Sequence, residues 1–278
     1  MKLLKVLSSL ALLLTVFWGV NSFATTGIQK PKIAKKKPLI TDTYDQNNGI
    51  FTKVLQQAVV MHGAFSKVRY KWLQNHQDKY FLLYLRNLQF VAPATYNSWT
   101  KNEKEAFLIN AYNALILKMI VDNYPVKSIK KMGSMFAHPF KMQYIALLWR
   151  NLSLDNIQNM LLKFHDPRVF FALNRASIGS PELLNKAYVA SHLNKQLNEQ
   201  ARLFLRDGVR NKIDVANKTL KLSKIFDWYK TDFTKKAGSV ERFIAPYITN
   251  NPAVRKELMN NKFKISYTTY DWKLNEAK

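Results

Sequence analysis

The chain has 278 residues, 47% of them hydrophobic and 13% aromatic, and carries 43 basic against 18 acidic residues for a net charge of +25. It contains no cysteine, which excludes disulfide staples, thiol catalysis and every thiolate metal site. Only ten of the basic residues are arginines. The remainder are lysines, hydrated point charges without the bidentate fork that reads phosphates and bases, so general attraction to polyanions is expected and sequence-specific nucleic-acid recognition is not.

Lys2 and Lys5 precede an uncharged, mainly apolar run, Val6 to Val20, and Ser22-Phe23-Ala24 is a small-x-small cleavage site. This predicts a signal peptide over residues 1–24 and a periplasmic or secreted location. The run has 15 residues, short of the roughly 18 that make a spanning helix, and no transmembrane segment is expected after cleavage. With the two leader lysines removed the net charge is +23, and setting aside the linker lysines 30, 32, 35, 36 and 37 still leaves +18. Residues 25–48, rich in Pro, Lys and Asn and without periodicity, read as a basic flexible linker. Residues 49–278 are expected to form a single globular domain.

From Phe51 the pattern is helical, with Leu55, Val59 and His62 on one face until Gly63 interrupts, and a second apolar block covers Tyr80 to Val91. Thr100 and Glu103 form a capping box. Phe107, Ala111 and Leu115, with Ile109, Ile116 and Ile120, then make a helix apolar nearly all round, hence central. It ends at Asp122-Asn123-Tyr124-Pro125. Ser153 caps another helix through Leu154, Ile157, Leu161 and Leu162. "RVFFALNRASIGSPELL", residues 168–184, reads as a buried strand breaking into a Ser-Pro turn. Leu193, Leu197, Ala201 and Phe204 mark an amphipathic helix closed by Gly208. "KIDVANKTLKLS" reads as a β-hairpin, two helices start near Ser239 and Pro252, and "FKISYTTY" alternates as a last strand. The expected class is α+β: a predominantly helical single domain with a small, mainly antiparallel sheet.

Reactive groups are sparse. The five histidines, 62, 76, 138, 165 and 192, include no i, i+4 pair and no zinc-protease motif, so no metal site is expected. Ser180 stands in Ile-Gly-Ser-Pro, without the G-x-S-x-G elbow that exposes a nucleophile, and Ser before Pro is normally a turn or cap residue. Eight glycines in the whole chain leave no phosphate-binding loop and no cofactor is expected. Asp155, Glu182, Asp227, Asp232 and Asp271 are scattered. Asn110 and Asn113, two amides in an apolar helix, must find partners. They either pin neighbouring loops or form a polar wall of a pocket.

"EAFLINAYNALILKMIVDNYPVKSIK", "NLSLDNIQNMLLKFHDPRVFFALNRASIGSPEL", "LKLSKIFDWYKTDF" and "YTTYDWKLN" follow one another in this order. Together they closely resemble the family called domain of unknown function 547, over roughly Trp99 to Asn275. The resemblance implies a protein of the kind found among bacterial exported and eukaryotic proteins, with no established activity. It also makes the departures informative. Where the family usually carries Glu, His and two cysteines, this chain has Gln158, Asn159, Arg175 and Ser180. Gln and Asn cannot act as acid or base, and Arg is neither nucleophile nor proton acceptor.

Three readings follow. The first is a non-catalytic protein whose pocket, re-lined by Arg175, Gln158, Asn159, Asn110 and Asn113, binds a small anionic ligand or an anionic envelope polymer. The second is a hydrolase with Ser180 as nucleophile and a distant histidine, His138, as base. The third is a structural or interaction protein with no pocket function.

Overall fold

The computed structural model describes residues 44–77, 80–132 and 138–277; the expected signal peptide and linker residues 25–43 lie outside them. The linker boundary is corrected at its end. Tyr44 packs edge-on against Phe107 at 5.1 Å, and Asn48, only 2% exposed, accepts from Tyr84 Oη at 3.0 Å, so Tyr44 to Asn48 belong to the fold.

The first helix, α1 (Gly49–Ala58), ends four residues before the expected break, and a hairpin of β1 (Val59–His62) and β2 (Phe65–Val68) follows. Val59 and His62 are therefore strand residues. Gly63, at φ +59, supplies the left-handed turn between the strands. Then come α2 (Tyr70–His76), α3 (Phe81–Phe90), α4 (Pro93–Ser98) and the 22-residue α5 (Lys101–Asp122). The predicted capping box is present: Thr100 N donates to Glu103 Oε2 at 2.7 Å and Glu103 N to Thr100 Oγ1 at 3.3 Å. Almost every residue of α5 from Glu105 onward is buried, as a helix apolar all round requires.

A second hairpin, β3 (Ile145–Leu147) with β4 (Arg150–Leu152), leads into α6 (Leu154–Leu162), capped by Ser153 as expected. The buried strand expected at residue 168 is a correction. Pro167–Phe171 forms a 3-10 helix, with Val169 N donating to Asp166 O at 3.2 Å and Ala172 N to Val169 O at 2.9 Å. From Val169 the segment is apolar because it lies between two cores: Phe170 and Phe171 join a phenylalanine-rich cluster, while Val169, Ala172 and Leu173 join the cluster around α5. Burial on every side erases the periodicity that separates strand from helix.

The remainder follows the sequence closely. It comprises α7 (Leu193–Leu205), the hairpin β5 (Lys212–Asp214) and β6 (Thr219–Leu222), then α8 (Ile225–Trp228), α9 (Lys230–Ala237), α10 (Val240–Ile248), α11 (Pro252–Met259) and β7 (Lys264–Tyr267). The class is α+β and mainly helical, with eleven α-helices among the described residues. In place of one sheet there are three, of two, two and three strands; all pairings are antiparallel except β6 with β7. The C-terminal segment runs back across the molecule, with Val68 N donating to Asn275 O at 2.8 Å and Ala277 N to Val68 O at 2.9 Å.

Candidate functional site

The turn after the 3-10 helix is built from its own side chains. Asn174 Oδ1 accepts from Ala176 N at 2.8 Å, and Asn174 Nδ2 donates to Pro181 O at 2.8 Å. Ala176 is held at φ +51, a left-handed conformation that a residue with a Cβ rarely adopts. Gly179 is required by close approach, since a Cβ there would stand 2.9 Å from Asp271 N. The approaching C-terminal segment is tied on by Gly179 N to Asp271 O at 2.8 Å and Ile178 N to Lys273 O at 2.9 Å.

Ser180, the candidate nucleophile, lies inside this frame at 2% exposure. Its Oγ accepts from Arg175 N at 2.9 Å and closes a ring of hydroxyls with Ser177 and Tyr270, each contact 2.9 Å. No described hydrogen bond joins it to a histidine. His138 is exposed, its ring contact being Phe140 at 5.6 Å, and the other four histidines are exposed as well. The Ser180–His138 pairing is therefore corrected: a hydroxyl without a base to take its proton is not activated.

Asn110 and Asn113 fulfil the loop-pinning reading. Asn110 Nδ2 donates to Tyr188 O at 2.8 Å while its Oδ1 accepts from Tyr188 N at 2.9 Å. Asn113 bridges Ala172 O (2.8 Å) and Asn174 N (3.0 Å) in the same manner. Asn159 is exposed on α6 and separate from them.

Arg175 and Gln158 do come together. Arg175 Nη2 donates to Gln158 Oε1 at 3.0 Å and to Tyr229 Oη at 2.9 Å, and the guanidinium lies 5.6 Å from the Tyr229 ring centre. The side chain is buried, at 4% exposure, with no acid in salt-bridge contact among the described residues. Nη1 has no hydrogen-bond partner, nor does the neighbouring Tyr112 hydroxyl. Burial opposes the charge, but Tyr229, Tyr112 and Tyr270 outweigh it and raise the Arg175 pKa. Burial raises the Tyr112 pKa as well, so at neutral pH that phenol brings no negative charge.

Residues 96–205 match the family model described as protein of unknown function, DUF547. Over that segment, less than half of the 278 residues, the chain is similar to that family. The match is shorter than the resemblance over Trp99 to Asn275. Arg175, Gln158 and Ser180 fall inside the matched segment, whereas Tyr229 and Tyr270, which complete their surroundings, lie beyond its end. No curated protein and no solved structure matches the chain significantly.

Sequence reasoning missed Arg210, a second buried guanidinium, which differs from Arg175 in having carboxylates beside it although its Nη2, too, lacks a well-aligned hydrogen bond. Arg210 is 7% exposed, pairs with Glu182 Oε1 and Asp207 Oδ2 at 2.6 Å each, donates to Ser180 O, and lies between the rings of Phe65 and Phe204 at 5.1 and 4.8 Å. Its hydrogen-bond and ion-pair partners stand up to 30 residues away, so no local pattern announces them. Among the described residues no group of three or more His, Asp or Glu is placed to hold a metal ion.

Proposed function

We propose that this chain is a non-catalytic protein that binds a small anion against the Arg175 guanidinium. One observation carries the reading: Arg175 is a buried cation with an unpartnered Nη1 and no counter-charge, in a molecule that gives its other deeply buried arginine two carboxylates. A buried charge left unpaired costs several kcal/mol. A carboxylate or comparable oxyanion at Nη1, within reach of the Tyr112 hydroxyl, removes that penalty. Beyond Tyr229 stands an aromatic group of Trp228, Tyr270 and Trp272, of which Trp228 is 41% exposed. A polymer does not reach so deep a group, so the small-ligand form of the reading is the one retained. Export through the leader of residues 1–24 to the periplasm or medium is part of the same proposal.

Thermal denaturation in sodium acetate and in sodium chloride at equal ionic strength tests it. Ligand that binds only the folded state raises the midpoint. Acetate should raise that of the native protein, and the increment should vanish in Arg175→Met and shrink in Tyr112→Phe. If Arg175→Met responds to acetate as the native chain does, the site is not where the anion binds.

A further inference from the structure

A groove of about 560 Å³ opens where the end of α7, the start of β5 and the segment after α10 meet, with Arg206, Asn211, Lys212, Thr249 and Asn250 among its walls. Arg202, one turn earlier on α7, and Arg255 on α11 stand close to Arg206. Its pKa is lowered first by burial and then by those two like charges. None of the three arginines belongs to an ion pair among the described residues. Asp207, next in sequence, is spent on Arg210 and on the amides of Val209 and Arg210.

The C-terminal end of α10 accounts for part of the cluster. Arg206 Nε donates to Tyr247 O at 2.6 Å and its Nη2 to Asn250 Oδ1 at 2.8 Å, while Arg255 Nη2 donates to Thr249 O at 2.9 Å. A helix C-terminus is worth roughly half a negative charge, enough to favour one guanidinium beside it but not three. Two further facts are left over: Arg255 Nε is buried without a partner, and the Arg202 side chain is exposed and makes no described hydrogen bond.

The geometry points to a phosphate-binding groove, lined by Arg206 and Lys212 and flanked by Arg202 and Arg255, which receives a pyrophosphate or a phosphate ester. Planar guanidiniums hold phosphate oxygens two at a time, and Lys212 adds a point charge at the exposed rim. Arg202 and Lys212 have side chains free of the α10 carbonyls, so neutralising them leaves that helix end intact. The site is distinct from Arg175 and does not depend on the reading given for it.

Calorimetric titration of the full chain with sodium pyrophosphate at low salt, and co-sedimentation with phosphatidylglycerol vesicles, separate a free phosphate from a lipid headgroup. Arg202→Gln with Lys212→Gln should weaken binding about tenfold or more, while the equally neutralising Lys67→Gln with Lys186→Gln should change it less than about twofold. Loss in the vesicle arm alone assigns the groove to a headgroup phosphate, and loss in the pyrophosphate arm alone to a free one. Equal effects of the two double variants in both arms, or loss on Arg175→Met instead, would overturn the groove.

Discussion

Glu105 sits on α5 at 2% exposure with its Oε1 unpartnered. Burial, and then the charge of Asp166, push its carboxyl up to about 7, against the smaller lowering by Lys101 and Arg168. The fold therefore favours the protonated acid. Its contribution to stability is fully present below the ordinary carboxyl value of 4.5 and is lost as the pH rises through about 7. Glu105→Gln keeps the neutral form at every pH. Its melting midpoint should match the native chain near pH 4.5 and exceed it at pH 8, by roughly 2–4 °C for each kcal/mol relieved. Equal midpoints at pH 8 would show that the carboxyl finds a partner there. The same logic separates Arg175 from Arg210: burial is common to both, and the counter-charge is what differs.

At the scale of elements, α5 is the part on which the site is hung. Asn113 ties the helix to Ala172 and Asn174, the entry to the Arg175 turn. Asn113→Ala leaves a buried carbonyl and a buried amide unpaired, at a cost of about 1–3 kcal/mol for each group so stranded. Urea unfolding should show a loss of that order together with a weaker acetate response, and an unchanged midpoint would mean that the turn holds itself. The helix and its cap were legible because Thr100 and Glu103 announce a start and the apolar positions run on to Asp122. The hairpin of β3 and β4 was not. Its turn is Leu148 and Trp149, both left-handed at φ 52 and 58, where Asn-Gly would have signalled it. β7 was legible as a strand, but alternation carries no direction, and its parallel pairing with β6 came only from the structure. Of the site, Arg175 and Gln158 stood out by departing from the family pattern. Tyr229 and Tyr112 carried no signal, because aromatic residues in helical stretches read as core.

For the whole molecule, two hydrophobic clusters meet along residues 169–173, and Leu162 and Trp272 pack against both. Around them lies a surface with a large excess of lysine, in a chain of net charge +25. Among the described residues no helix is long and apolar enough to cross a membrane. The proposed export is tested on the whole chain. Expressed in a bacterial host, the full chain should reach the periplasm with its N-terminus near Thr25, and a chain lacking residues 2–24 should stay in the cytosol. Intact full-length protein recovered only from the cytosol would remove the export reading. The return of residues 271–277 across the molecule has its own consequence for such a crossing. They bond the 178–179 turn and the edge of β2, completing both the site frame and the first hairpin. A chain that is threaded N-terminus first emerges with those two places unfinished, and they can close only after the last segment has passed through.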